Sequence, residues 1–223
     1  MFDHLNRALH EALDGPQAAP RQPTLDRLLP ADVVSLSDGD DMVVQTVLDC
    51  REELNGRTTT WRWNLLDGNR MLETSPDGTF LYRRSVVLHQ GSVEFETLTS
   101  QHDGVLVEFE ARVRAETAAR NPVLFQYGGL TYQVTATGTF LAQALGGAAA
   151  GAPVWRDLDP VKAGENVYFV LAPTDESAAP ETEQVVLGIW TAHIALLFGA
   201  ELGEADVQAI YPGSPGSEEG QAR

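Results

Sequence analysis

From Val33 onward apolar and polar side chains alternate with a period of two, in short runs broken by turn dipeptides. "VVSLS", "MVVQTVL", "TTTWRWNLL", "NRMLETS", "TFLYRRSVVL", "SVEFETL", "VLVEFEARVR", "VLFQY" and "LTYQVTA" each read as a strand, because successive strand side chains point to opposite faces. Asp38-Gly39, Asp67-Gly68, Asp77-Gly78, Gln90-Gly91, Asp103-Gly104 and Gly128-Gly129 separate them as turns. This density of strands predicts a mainly β protein, an antiparallel sandwich or barrel-like sheet. After the small-residue stretch "LAQALGGAAAGAP", the runs "VWRDLD" and "NVYFVLA" resume the pattern.

The period differs at both ends. Leu5, Ala8, Leu9, Ala12 and Leu13 share one side of a short helix that Asp3 caps and Gly15 ends. "VVLGIWTAHIALLFG" is apolar almost all round, so the portion from about Gly188 reads as a buried helix, followed by a shorter one in "EADVQAIY" that Pro212 stops. The expected organisation is an amphipathic helix over 1–15, a linker over 16–24, a β-rich domain over 25–171, an acidic linker over 172–184, a helical segment packed on the β domain over 185–212, and a disordered tail over 213–223.

Within "TTTWRWNLLDGNRMLET" the dipeptide Asp67-Gly68 is the preferred centre of a two-residue hairpin loop. That loop sets Trp63 opposite Leu72, Arg62 opposite Glu73 and Trp61 opposite Thr74; a three-residue loop shifts every partner by one. "YGGL" reads as a second tight hairpin with Phe125 opposite Tyr132 and Val123 opposite Val134. Trp63 is expected in the core and Trp61 nearer its edge. Trp61, Trp63, Tyr82 and Trp155 are the candidate binding residues, since aromatic rings bury large areas against ligands as well as cores.

Charge narrows the partners. With 32 acidic and 15 basic residues the formal charge is -17, which repels phosphate backbones at long range and excludes nucleic acid. No window reaches the ~20 apolar residues of a membrane span. The start "MFDHLNRALHEALDG" lacks the basic and continuous apolar regions of a signal peptide, so the expected location is cytoplasmic. Peripheral membrane contact stays compatible with the apolar stripe of the first helix, although its acidic residues repel an anionic bilayer. Cys50 stands alone, which removes intrachain disulfides and paired-cysteine metal knuckles.

Catalytic signatures are missing from the sequence. It holds no Gly-rich phosphate loop, no Gly-x-Ser-x-Gly elbow and no dinucleotide fingerprint. "HEALD" has Asp14 where a zinc-protease helix needs its second His, and His193 reads as a core residue rather than a base. A site assembled from Asp49, Glu73 and His193 has no spacing to support it. No enzyme activity and no cofactor are expected. One echo points to a cation: "VEFE" occurs at 93–96 and 107–110, and if both runs pair as strands, Glu94, Glu96, Glu108 and Glu110 share one face. Like charges so placed repel, which the nearby Arg112 and Arg114 or else a Ca²⁺ ion would relieve, while the plainer reading leaves the glutamates solvated on an outer face.

The succession "DVVSLSDGDDMVVQTVL", "TTTWRWNLLDGNRMLET", "FLYRR" and "FQYGGLTYQVTATGTF", over about residues 28–142, resembles the bacterial domain-of-unknown-function family numbered 4178. The resemblance implies a β-rich bacterial accessory protein, in an envelope-stress or polyamine gene setting, and carries no activity or catalytic residues. The reading that results is a non-catalytic interaction or scaffold protein with a protein partner or a second copy of itself. The alternative is a β domain that binds a small ligand or a divalent cation.

Overall fold

Among the described residues eight antiparallel strands close into a barrel, and three further strands extend its wall. The computed structural model describes residues 21–102, 106–145, 166–175, 182–189 and 193–213. The expected helix over 3–14, Trp155 and the tail beyond residue 213 lie outside the described residues. In chain order the strands are β1 (Val33–Leu36), β2 (Asp41–Leu54), β3 (Arg57–Leu66), β4 (Met71–Ser75), β5 (Gly78–His89), β6 (Leu124–Tyr127), β7 (Leu130–Leu145), β8 (Asn166–Pro173), β9 (Gln184–Ile189), β10 (His193–Glu201) and β11 (Val207–Tyr211). Two helices, α1 (Val93–Gln101) and α2 (Leu106–Ala118), separate β5 from β6. The spatial order is β11-β1-β2-β3-β4-β5-β10-β9-β8-β7-β6, and a further ladder between β2 and β7 closes the ring. The chain is therefore mainly β and barrel-like, as its alternation predicts.

The register repeats. The pair Val34 and Met42 in the β1–β2 hairpin corresponds to Phe125 and Tyr132 in β6–β7. A bulge follows Val44 in β2 and Val134 in β7. Beyond it Leu48 faces Trp63 as Gly138 faces Tyr168, and Cys50 faces Trp61 as Phe140 faces Asn166. Met71 and Tyr82 likewise correspond to Val186 and Leu197. Strands β1–β5 and β6–β10 are thus two copies of one topology. Arg51 and Leu141, which occupy equivalent positions, pair directly with each other, as a twofold axis between the halves requires.

Three apolar clusters follow from the alternation. Leu48, Cys50, Trp63, Leu65, Met71, Tyr82, Phe140, Val186 and Leu197 point inward and fill the lumen. Outside, α1 and α2 cover one side of the wall, where Leu98, Phe109 and Val113 pack on Phe125, Phe169, Leu187 and Leu196. On the other side Leu28, Val34, Leu36 and Leu202 cover Val47, Leu66, Leu72 and Leu81. Asp32 fastens that cover: fully buried, it pairs with Arg21 and accepts from the backbone N–H of Leu29 (2.8 Å) and of Gly213 (2.9 Å).

Three expectations from the sequence are corrected. Both "VEFE" runs are helical, not strands. Ser92 accepts a hydrogen bond from the Phe95 N–H (3.2 Å) and caps α1, Glu94 and Glu96 sit in its first turn, and Glu110 pairs with Arg114 one turn on in α2. Phe95 with Leu98 and Phe109 with Val113 are the helical spacings that bury these segments. Second, the expected C-terminal helices are strands β9, β10 and β11. His193 to Gly199 are buried because β10 has the lumen on one face and the helix-covered core on the other, so its sequence shows no alternation. Third, the Asp67-Gly68 hairpin has a three-residue loop: Gly68 and Asn69 both adopt positive φ, and Leu66 N–H donates to the Arg70 carbonyl (2.8 Å). Trp63 consequently faces Glu73 and Arg62 faces Thr74.

Candidate functional site

That one-residue shift in register builds the polar part of the lumen. Trp63 and Glu73 are directly opposed and both point inward, and the indole Nε1–H donates to Glu73 Oε2 at 2.9 Å. Tyr82 lies on the next strand, with its hydroxyl 3.5 Å from the same oxygen, while Gln184 Nε2 donates to the Tyr82 oxygen at 2.6 Å. A second carboxylate closes the ring from β2: Glu52 accepts from the Tyr168 hydroxyl (3.1 Å) and from the Thr139 N–H (3.2 Å). Gly138 makes room for it, since a Cβ there would stand 2.0 Å from Glu52 Oε1. Trp61, Trp63, Phe140 and Tyr168 pack edge-on or tilted, with centroids 4.9 to 6.5 Å apart.

Electrostatics in this cluster favour neutral forms. Glu73 is partly accessible by area, yet protein surrounds its carboxyl on almost every side. Desolvation therefore raises its pKa above the ordinary carboxylate range, and the hydrogen bonds from Trp63 and Tyr82 only partly oppose this. Burial likewise raises the Cys50 thiol and the Tyr82 phenol well above their usual values, with the Glu73 charge adding to both. A thiol held protonated is a poor nucleophile. Tyr168 is pushed up by burial and then by Glu52. The arrangement favours protonated side chains and fixes their positions.

Accessible space opens over β2, β3 and β7, where it also touches Cys50, Ala142 and Ala144 of the lumen cluster. A cleft of about 1430 Å³ is lined by Asp49, Thr60, Trp61, Arg62, Leu141 and Gln143, with Leu25, Asp26, Leu202 and Glu204 also on its walls. Asp49 and Arg62, opposed on the outer face of β2 and β3, form an ion pair at 2.8 Å, and Arg62 also donates to the Asp26 carbonyl (3.0 Å). Trp61 connects the two regions: it packs on Phe140 and Tyr168 in the lumen and borders the cleft.

Of the candidate binding residues, Trp61, Trp63 and Tyr82 come together in the lumen cluster, and Trp155 lies outside the described residues. Trp63 is 2% exposed and Tyr82 0%, so only Trp61 reaches a surface where a ligand could stack. Glu94 and Glu96 are exposed on α1, while Glu108 and Glu110 belong to α2; the flat strand ladder that would have set them face to face does not form. Among the described residues no group of three His, Cys, Asp or Glu side chains is placed to hold a metal ion. Asp49 and Glu73 face opposite sides of the wall, and His193 is buried in β10 with its ring centroid 6.0 Å from that of His89. Sequence reasoning did not find Glu52, Phe140, Tyr168 or Gln184. They join the cluster through strand order, and Gly138, a glycine inside a strand, was the one local sign of close approach.

No family model, no curated protein and no solved structure matches the chain. Among the described residues no helix is long and apolar enough to cross a membrane.

Proposed function

We propose that the protein is a non-catalytic interaction module of the bacterial cytoplasm that engages a protein partner through the cleft over β2, β3 and β7. The observation that carries this reading is the contrast between a lumen filled by Trp63, Tyr82, Phe140 and Leu197 and a cleft of about 1430 Å³ beside it. A barrel whose interior is packed offers its binding energy on its surface. Asp49 and Arg62, two of the charged groups that face the cleft, are already paired, which suits recognition better than proton transfer. The resemblance over residues 28–142 adds a bacterial accessory setting to this reading.

The test is photo-crosslinking in bacterial cells with benzoylphenylalanine at Thr60 or Gln143, both exposed in the cleft, and at Glu94, exposed on α1 away from it. One discrete adduct from the two cleft positions, and none from Glu94, is the expected result. No adduct from the cleft, or the same adducts from all three positions, contradicts the proposal. The alternative, a small organic ligand stacked on Trp61, is favoured by the position of that ring at the cleft wall. It predicts quenching of Trp61 fluorescence by the ligand, without protein adducts.

A further inference from the structure

The interaction reading names a partner but leaves its shape open, and the repeat within the barrel supplies it. Strands β1 and β6 are equivalent, each being the short first arm of a hairpin that opens its half. On β1 the edge away from β2 is occupied: β11 lies on it antiparallel, with Ile210 opposite Val34 and Tyr211 opposite Val33. On β6 the equivalent edge carries no strand among the described residues, since β6 pairs with β7 alone. We propose that this edge receives an extended segment of a partner protein, laid antiparallel and patterned like β11. This rests on the interaction reading but places the contact at a different surface from the cleft.

The ladder identifies the groups that would bind. Val134 N–H donates to the Val123 carbonyl (2.9 Å), which makes Val123 and Val134 a hydrogen-bonded pair. Antiparallel pairs alternate, so Phe125 and Tyr127 also direct their backbone groups at β7, and those of Leu124 and Gln126 point outward. These outward N–H and C=O groups are a template for one more strand, the recognition mode in which main-chain bonds give affinity and alternate side-chain pockets give selectivity.

A pocket lies where such a strand needs one. Val123 and Phe125 face the helix-covered core, so the residue opposite Phe125 on an added strand would point the same way, as Ile210 does beside Val34. Beside β6 there is a groove of about 480 Å³, lined by His102, Arg112, Glu116, Val123, Leu124 and Gln126. It has the size of a branched aliphatic side chain with space to spare. On the opposite face Leu124 is 46% exposed, and a neighbouring apolar residue, in the place Tyr211 takes beside Val33, would cover it. The partner segment therefore carries an isoleucine or valine toward the groove and an aromatic or aliphatic residue one position away. The chain's charge of -17 favours basic residues flanking it.

The chain's own edge strand is the natural probe. A synthetic peptide of residues 206–213, DVQAIYPG, is added to the full-length protein labelled with ¹⁵N, and amide hydrogen exchange is followed by NMR. The expected result is saturable binding with at least a tenfold slowing of exchange at Leu124 and Gln126, and no change at the β1 amides. Gln126→Pro removes one outward N–H without touching the β7 ladder and should weaken binding at least tenfold; Leu124→Lys, which keeps the backbone intact, should do the same if the proline variant folds poorly. No slowing at Leu124 and Gln126 with millimolar peptide overturns the proposal, as does binding that both variants leave unchanged. Faster exchange at the β11 amides instead would mean that the peptide only displaces β11, and slowing that appears without peptide as protein concentration rises would assign the edge to a second copy; either result overturns it. Failure here with cleft adducts retained contradicts this inference alone and leaves the module's cleft standing.

Discussion

At the scale of single residues, Trp63 and Glu73 carry the heaviest consequences. Trp63 is enclosed by Phe140, Trp61 and the Glu73 carboxyl. Its replacement by alanine leaves a cavity and removes the shorter of two hydrogen bonds to the Glu73 carboxyl, and should cost about 3 to 5 kcal/mol in chemical denaturation; a variant with wild-type stability would show that the ring does not fill the lumen. Glu73 sets a pH dependence. Because burial raises its pKa, the folded state binds this proton more tightly than the unfolded chain. That contribution is complete below the ordinary carboxyl range and is lost as pH rises through the higher folded value. Glu73→Gln keeps an acceptor for the indole and removes the titration. Its stability relative to wild type should climb as pH is raised from about 4 to neutrality, and parallel melting profiles across that range would place the carboxyl in water. That Trp63 is core and Trp61 is nearer an edge could be read from the sequence. The Glu73 contact could not, because it depends on whether Asn69 adopts positive φ, and Asp67-Gly68 alone does not decide that.

At the scale of elements, alternation found strands β1 to β8 but missed β11, whose short half-exposed run before Pro212 read as a helix. Elsewhere it failed in two opposite ways. In the "VEFE" segments a local period of two hid a helix, although the Ser92 cap and the spacing of Phe109 and Val113 carried the contrary signal in a longer window. In β9 and β10 burial on both faces erased the period, and an unbroken apolar run is equally compatible with a buried helix. Gly199 was the discriminating residue. It marks the bulge where β10 crosses β5, and a Cβ there would stand 2.6 Å from the Leu81 carbonyl oxygen and 2.9 Å from the Tyr82 Cα. Both are backbone-bound atoms that cannot step aside. Gly199→Ala should therefore destabilise by about 3 kcal/mol, whereas as the end cap of a helix the same change would cost only about 1 kcal/mol; equilibrium unfolding of the variant separates the two.

At the scale of the whole molecule, closure was not legible. The mainly β class follows from patterns along the chain, but the β2–β7 ladder joins segments far apart in sequence, and nothing local in either strand names the other. Only the repeated register, with its matched bulges after Val44 and Val134, explains the closure as a twofold arrangement of two similar halves. The functional reading depends on it, since a closed and filled barrel must bind at its surface, while an open sheet would expose Trp63 and Tyr82. An engineered disulfide tests this most directly. Arg51 and Leu141 pair on the outer face at one end of the β2–β7 ladder, so Arg51→Cys with Leu141→Cys, in a Cys50→Ala background, places two thiols across it. The account predicts quantitative intramolecular oxidation and, for a loop of this length, stabilisation of about 4 kcal/mol relative to the reduced form. Failure to cross-link within the chain, or a cross-linked form less stable than the reduced one, would contradict the closed barrel.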